Sequence, residues 1–240
     1  AAGDGATSTI VSVQNSVVCG PLNAFGTDAQ KERYLKPLAR GERFGCFCLT
    51  EPQVGSDAGA IVTRAERDGD SWVLNGVKQF ITTGKNADVA IVFAVTDKAG
   101  GKRGISAFVV DTSSKGFVVA RVEEKLGQRA SDTAQIGLED CRVPAANLIG
   151  QPGRAGKRVV TGAFSWTAAL IGAACVGTMR AAFEYALGFA RSETRLGTVP
   201  VIEHQNVGFM LADIKMRIEA CRYLAWKACH DFERTGGRAE

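Results

Sequence analysis

Leu49-Thr50-Glu51-Pro52-Gln53-Val54-Gly55-Ser56-Asp57 is the stretch on which the reading of this chain turns. It follows an apolar run, residues 44–49, that reads as a buried strand bounded by turn formers. Pro52 has no amide hydrogen to give a sheet ladder, so the strand should stop at Thr50 or Glu51. Gly55 then allows close approach of the backbone, and Thr50, Ser56 and the amides around Gly55 put donors at a strand's end. Such a loop can hold a polar ring edge or an anionic group; it can equally be a polar exit from a strand.

Upstream, residues 9–19 are apolar and β-branched and fit a helix or a strand. Thr27 can cap the next helix, with Gln30 at the capping-box position and Tyr34, Leu35 and Leu38 on one apolar side. Pro37 should end or kink it, with Gly41 just beyond.

Downstream, from 43 to about 143, the period changes to two. Short β-type runs recur at 60–66, 71–74, 77–82, 89–96, 105–111, 117–122 and 134–142. Asp68-Gly69, Asn75-Gly76, Gly100-Gly101 and Lys115-Gly116 punctuate them as turns. Strands at this spacing without intervening helices predict an antiparallel barrel or sandwich. Residues 144–156 form a loop whose Gly156-Lys157 pair resembles a P-loop, but Gln151 and Arg158 break that pattern. Two long helical patterns follow, about 158–191 and 200–232, separated by Gly197, Thr198 and Val199. In the second, Val207, Leu211, Ile214, Ile218, Cys221 and Trp226 form the stripe of a core-facing helix. Helices, then strands, then helices is the order of an α+β protein with layered domains.

At 240 residues, 45% apolar and 22% charged, the chain can bury a sizeable core. Its net charge of +4 is small and its basic residues are scattered, which argues against nucleic acid. No apolar run approaches the length of a membrane span without polar interruption. Residues 1–5 lack the features of a signal peptide. The seven cysteines are odd in number and show no C-x-x-C spacing, as Cys46-Phe47-Cys48 illustrates. This predicts free thiols in a reducing, cytoplasmic setting rather than disulfides or zinc. The chain stops at Glu240 within a helical pattern, so a piece of something longer is expected.

Only two histidines are present, and no serine or cysteine sits in a nucleophile elbow, which disfavours a hydrolytic triad. No acidic cluster suggests a metal site. The remaining chemistry lies in polar residues at strand ends: Thr50 and Ser56, then Phe80-Ile81-Thr82-Thr83.

Four segments carry a resemblance. They are 49–57, Asn75-Gly76-Val77-Lys78-Gln79-Phe80-Ile81-Thr82, Leu126-Gly127-Gln128-Arg129-Ala130-Ser131-Asp132-Thr133, and Glu203-His204-Gln205. In this order and spacing, with Asp140 and Val143-Pro144 after the β block, the chain resembles the acyl-CoA dehydrogenase superfamily over essentially its whole length. The resemblance implies the end of an N-terminal helical domain at 1–42, a middle β-barrel domain at 43–153 and the first half of a C-terminal helical bundle at 154–240. It implies FAD held between the domains.

Carried over by motif, Phe47, Leu49 and Thr50 would lie along the flavin ring, with Thr50 donating to its polar edge. Phe80 would cover one face, Ile81 would lie in the same ring-binding segment, and Thr82 would donate near the redox nitrogen. Gly55 and Ser56 would approach the flavin phosphates or the pantetheine arm of a CoA thioester. Donors aimed at a reduced, anionic flavin stabilise it and so favour hydride acceptance. A neighbouring subunit of a dimer or tetramer would supply Gln205 and an Arg to the pyrophosphate. Glu193 occupies the usual Arg position and Leu196 the Phe position, which leaves Arg195 as the substitute.

Residues 192–195, 203–205, 167–172 and 224–227 also resemble the nitroalkane oxidase branch. Ser165 and Ala168 stand where many members have an Asp and an Arg that touch CoA. No residue is identified as the catalytic base; Asp213 and Glu219 read as solvated or subunit-facing, and the common position lies beyond Glu240. The resemblance thus implies an FAD-dependent oxidoreductase acting on an acyl-CoA, with an electron-transfer acceptor possible. The alternatives are a nitroalkane-oxidising flavoenzyme and a non-catalytic flavin-binding subunit.

Overall fold

The computed structural model describes residues 1–153, 155–195 and 197–235, without the side chains of Lys102 and residues 155–166. The chain divides into two compact units, Ile10–Phe164 and a second made of Ala1–Thr9 with Ser165–Glu240; each is described by itself.

In the first unit, the segment that fits either helix or strand on its pattern is helical. Helix α1 (Gly5–Val13), which belongs to this unit from Ile10 onward, passes into a π-helical stretch, Gln14–Cys19, and then into α2 (Gly20–Phe25). The wide turn at Gln14 frees its side chain to reach other elements. Its amide donates to the carbonyls of Leu38 (2.8 Å) and Arg43 (2.9 Å), and its oxygen accepts from the Gly45 amide (2.9 Å). Thr27 caps α3 (Asp28–Gln30) through the full reciprocal capping box with Gln30. Pro37 does not end this helix. A π-helical stretch, Lys31–Leu35, absorbs the disruption, and Pro37 sits in the first turn of α4 (Lys36–Ala39), where no amide hydrogen is needed. Gly41 follows at φ 73°.

Eight strands form one sheet: β1 (Gly45–Cys48), β2 (Arg64–Asp68), β3 (Ser71–Thr82), β4 (Val89–Val95), β5 (Ile105–Asp111), β6 (Phe117–Val122), β7 (Thr133–Pro144) and β8 (Leu148–Ile149). The order is β6-β7-β3-β2-β4-β5-β8, with β1 paired to β4 off this path. The sheet is mixed rather than wholly antiparallel, because β1 and β2 both run parallel to β4. The return from β2 to β4 is made by β3, which pairs antiparallel with β2, and the β1-to-β4 connection contains both β2 and β3.

Two corrections follow from β3. The runs at 71–74 and 77–82 are one strand, and Asn75-Gly76 is not a turn. The ladder with β7 slips between Leu74 and Gly76, and Asn75 exchanges two hydrogen bonds with Asp140 (3.0 and 2.9 Å). Gly76 adopts φ 151° there, and a Cβ on it would lie 2.5 Å from the Thr63 hydroxyl. The dipeptide faces a bulge in β7 at Glu139-Asp140 and makes no hairpin.

Strand β4 is buried on both faces. Val89, Ile91 and Phe93 join one core with Val18, Leu22, Tyr34 and Leu38 of the helices. Ala90, Val92 and Ala94 join a second core with Cys46, Cys48, Leu74, Ile81 and Phe108.

The second unit takes in α5 (Ala155–Ser192) from Ser165 onward and α6 (Gln205–Thr235), joined through a 3₁₀ turn at Val201–Glu203. Pro200 stands before that turn, and the long helix begins only at Gln205. The predicted stripe on α6 is partly corrected: Leu211 and Ile218 are buried, whereas Ile214, Cys221 and Trp226 are exposed. Among the described residues, one helical segment, Thr167–Ser192, is long and apolar enough to cross a membrane by length and composition, and it is mostly unburied. Small and polar residues such as Gly177 and Thr178, and the charges Arg180, Glu184 and Arg191, interrupt its apolar run. Two of its three charges, Arg180 and Glu184, pair with each other at 2.6 Å.

Candidate functional site

The site is built where β1 ends against β3. Strand β1 stops at Cys48, slightly before the expected Thr50 or Glu51, and Glu51 and Val54 close a tight two-bond turn over Pro52-Gln53 (2.9 and 3.0 Å). Pro52 sits where its missing donor costs nothing. The Glu51 side chain turns inward. Its carboxylate accepts from Lys78 Nζ (2.8 Å), the Thr63 amide (2.9 Å), the Val62 amide (2.7 Å) and Gln53 Nε2 (2.8 Å). Lys78 also donates to the Leu49 carbonyl at 3.2 Å. This pair is 0% and 1% exposed.

Burial alone would raise the Glu51 carboxyl. The Lys78 ammonium, with hydrogen bonds from Lys78, Thr63 and Val62, outweighs it and holds the group below its usual value. Burial draws Lys78 down, and Glu51 opposes this. Sequence reasoning missed this pair. Its only signal was a Lys in an otherwise apolar-facing strand position, with its partner 27 residues away.

Two residues past Lys78 the ladder with β7 slips again, between Lys78 and Ile81. Phe80 lies in this bulge at φ 58°, a left-handed conformation that is a genuine outlier for an aromatic residue. Its side chain is 63% exposed. Thr83 is left-handed as well, at φ 62°, so two strained residues bracket Ile81-Thr82. Asp132 holds the following turn. Its carbonyl accepts from the Thr83 amide (2.9 Å), and its carboxylate accepts from the Lys85 amide and Asn86 Nδ2 (2.8 Å each). Gln79, in the same bulge, takes a bond from Gln135 (2.6 Å) and donates to Glu123, which pairs with Arg121 (2.7 Å).

The Gln79 amide donates to the Thr50 carbonyl at 2.8 Å, which places Thr50 beside the Phe80 bulge. Thr50 thus lies beside the bulge that carries Phe80, with Thr82 two residues further along β3, and Thr50 and Thr82 are half-buried. Phe47 is half-buried too, with its ring 4.9 Å from Phe93. Leu49 and Ile81 differ from their neighbours. Leu49 is packed in the first core and Ile81, 2% exposed, in the second, so their side chains serve the interior. Gly55 and Ser56 are exposed on the same loop, and a Cβ at Gly55 would meet nothing within 4 Å. Nothing in the chain itself calls for glycine there, and the surface is open to a bound group.

Arg195 and Gln205 lie in the other unit. Arg195 is exposed, pairs with Glu193 Oε2 at 2.8 Å and lies 5.9 Å from the centre of the Phe189 ring. Glu193, which stands where the resemblance expects Arg, is thus the ion-pair partner of Arg195. Gln205 is exposed at the first turn of α6. Leu196 and the side chain of Ser165 lie outside the described residues. Asp213 and Glu219 are tied to Arg217 (2.9 Å) and to Lys215 (2.5 Å) and Arg222 (3.5 Å).

Comparison with known proteins adds an independent line. The family model "Acyl-CoA dehydrogenase, N-terminal domain" matches residues 1–42, the middle-domain model 46–141 and the C-terminal-domain model 154–239. The mitochondrial short-chain specific acyl-CoA dehydrogenase of Rattus norvegicus is 40% identical over 226 residues, 94% of this chain and 54% of that one. The structure of butyryl-CoA dehydrogenase from Megasphaera elsdenii superposes with a TM-score of 0.92 at 38% identity, covering 96% of this chain and 60% of that one. That of a glutaryl-CoA dehydrogenase from Mycobacterium smegmatis in complex with FADH2 gives 0.83 at 34% identity, over 90% and 54%. The chain thus spans between 54% and 60% of the length of these relatives. With three domain models matched in order along nearly all of its residues, the chain belongs to the acyl-CoA dehydrogenase family.

Proposed function

We propose that this protein binds FAD and takes part in the α,β-dehydrogenation of an acyl-CoA thioester. The observation that carries this reading is Phe80, an exposed aromatic side chain held outward on a left-handed bulge beside Thr50 and Thr82. An isolated Phe would gain nothing from such a position; a flat aromatic ligand stacked on it would. The residues present fit a flavin. Phe80 covers one face of the ring, Thr50 and Thr82 offer hydroxyls and main-chain groups to its polar edge, and the open surface at Gly55-Ser56 admits an extended or anionic group. Bound FAD supplies the hydride acceptor.

Arg195 and Gln205, both exposed in the second unit, are proposed to reach the pyrophosphate of a neighbouring subunit's cofactor, which makes the working protein a homo-oligomer. The α-proton requires a carboxylate base. Asp213 and Glu219 are engaged with cations of their own helix and are not assigned that role. The names of the relatives point to a short acyl chain, and the three matched regions point to helical, β and helical domains. A cytoplasmic location and a separate electron-accepting partner complete the proposal.

The test is anaerobic titration of the FAD-loaded protein, in its native length, with butyryl-CoA, followed by its visible flavin spectrum. Bleaching of the flavin is the expected result. Bleaching by a nitroalkane alone would replace this reading with the nitroalkane-oxidising one that residues 192–205 also resemble. A yellow protein inert to both would indicate a non-catalytic flavin-binding subunit.

A further inference from the structure

The flavin reading leaves the most deeply buried charges of the site without a part. Lys78 and Glu51 form an ion pair that is almost wholly enclosed, at 2.8 Å. A buried pair of this kind adds little to stability over well-packed apolar side chains, because desolvation of both charges offsets their attraction. What it adds is direction and distance. Its place in the chain shows where these matter: Glu51 directly follows Thr50, and Lys78 lies two residues before Phe80.

Between these points the usual determinant of register is missing. The β3–β7 ladder slips between Lys78 and Ile81, so its bonds do not fix where Phe80 projects, and one main-chain bond, from the Gln79 amide to the Thr50 carbonyl (2.8 Å), ties the bulge to the end of β1. The left-handed backbone at Phe80 is strained and persists only if its surroundings over-determine it. Lys78 binds both the Leu49 carbonyl and the Glu51 carboxylate, clasping the end of β1 on either side of Thr50. Glu51 in turn gathers the Val62 and Thr63 amides, so the clasp extends to the segment that leads into β2.

We propose that Lys78 and Glu51 are positioning residues for the flavin ring, their buried ion pair setting the separation between the Thr50 edge and the Phe80 face. The proposal rests on the flavin reading above. It assigns neither residue a contact with the cofactor.

The test compares wild type, Glu51→Gln and the double variant Glu51→Gln/Lys78→Met, each in the native-length protein. Gln keeps an oxygen acceptor for the two amides, and Met keeps most of the Lys stem, so the double variant removes charge while holding volume. Three quantities are read: thermal unfolding without cofactor, the dissociation constant for FAD, and the visible absorption bands and midpoint potential of the bound flavin. The double variant is expected to unfold cooperatively near the wild-type temperature, to bind FAD at least about tenfold more weakly, and to show displaced bands and potential. A purely structural pair would lower the unfolding temperature yet leave the spectrum and potential of whatever FAD binds unchanged, and that result overturns the proposal. If the double variant fails to fold, Glu51→Gln decides: a weaker FAD affinity with a displaced spectrum upholds the proposal, and wild-type values overturn it. Wild type that takes up no FAD overturns the flavin reading and this proposal with it. Wild type that binds FAD beside variants that match it overturns only this one.

Discussion

Replacing Phe80 with glycine should separate folding from ligand presentation. An L-residue with a side chain pays about 1–2 kcal/mol for left-handed backbone, and Phe80 sits at φ 58°. Glycine removes that strain. Against this, glycine adds roughly 0.5–1 kcal/mol of backbone entropy loss on folding. A fully buried Phe contributes about 1.5–3 kcal/mol, and with 63% of the residue exposed only about a third of that is at stake, on the order of 0.5–1 kcal/mol. The opposing contributions cancel to within about 1 kcal/mol. Phe93→Ala provides the contrast: Phe93 is fully buried and packs on Phe47, and its loss should cost about 3–5 kcal/mol. Urea denaturation of the FAD-free protein measures both. The same Phe80→Gly protein, titrated with FAD by quenching of flavin fluorescence, should bind about tenfold more weakly, because a lost stacking contact of about 0.5–1.5 kcal/mol adds to lost apolar area. A Phe80→Gly cost above about 2 kcal/mol, or undiminished FAD affinity, would refute the reasoning, since Phe80 would then be a packing residue.

Three further outcomes are expected. Because Glu51 is held below its usual 4.5 in the folded protein, its contribution is complete above pH 4.5 and is lost as pH falls through the lower folded value. Urea midpoints between pH 6 and about pH 3 should therefore fall more steeply for wild type than for Glu51→Gln; parallel curves would deny the carboxylate this role. Lys78 has the opposite sign, a penalty present below its depressed folded value and relieved as pH rises toward 10.5, so it leaves this acid limb alone. Native thiol titration should spare the buried Cys19, Cys46, Cys48 and Cys141, the last raised to about 11 by burial, while Cys175 and Cys221 react and all seven react in denaturant. Rapid labelling of Cys46 or Cys48 in the folded protein would contradict the β1 core. Gly76→Ala should lower stability by about 1–3 kcal/mol in a thermal melt, since the new Cβ would meet Thr63 at 2.5–2.8 Å from a left-handed φ of 151°; a neutral substitution would deny the bulge its geometry.

Features set by near neighbours in the chain were legible. The Thr27–Gln30 capping box forms as its spacing predicts, because both of its hydrogen bonds lie within one turn. Asp68-Gly69, Gly100-Gly101 and Lys115-Gly116 all lie where one strand gives way to the next, each with its second residue, a glycine, at positive φ. Asn75-Gly76 shows the limit. The same dipeptide chemistry that favours a hairpin also suits the place opposite a bulge, and only the partner strand, through Asp140, selects between them. Pro37 likewise reads as a helix end until the preceding π turn is known.

Sequence alone determined the alternation of helical and two-residue periods, hence an α+β chain with a β block between helices, and the four motifs that mark the family. These depend on local periodicity and on residue identity, which are one-dimensional. Tertiary structure decided which of the motif residues face outward. Ile81 and Leu49 turn into separate cores while Phe80 between them in the motif set is thrown out by a ladder slip. It also decided that Glu51 and Lys78, 27 residues apart, share one buried bond. Side-chain facing reverses with a single-residue slip in register, and pairing of distant charges depends on which strands become neighbours. Neither quantity is contained in any window of the chain; both come into being when the sheet closes around them.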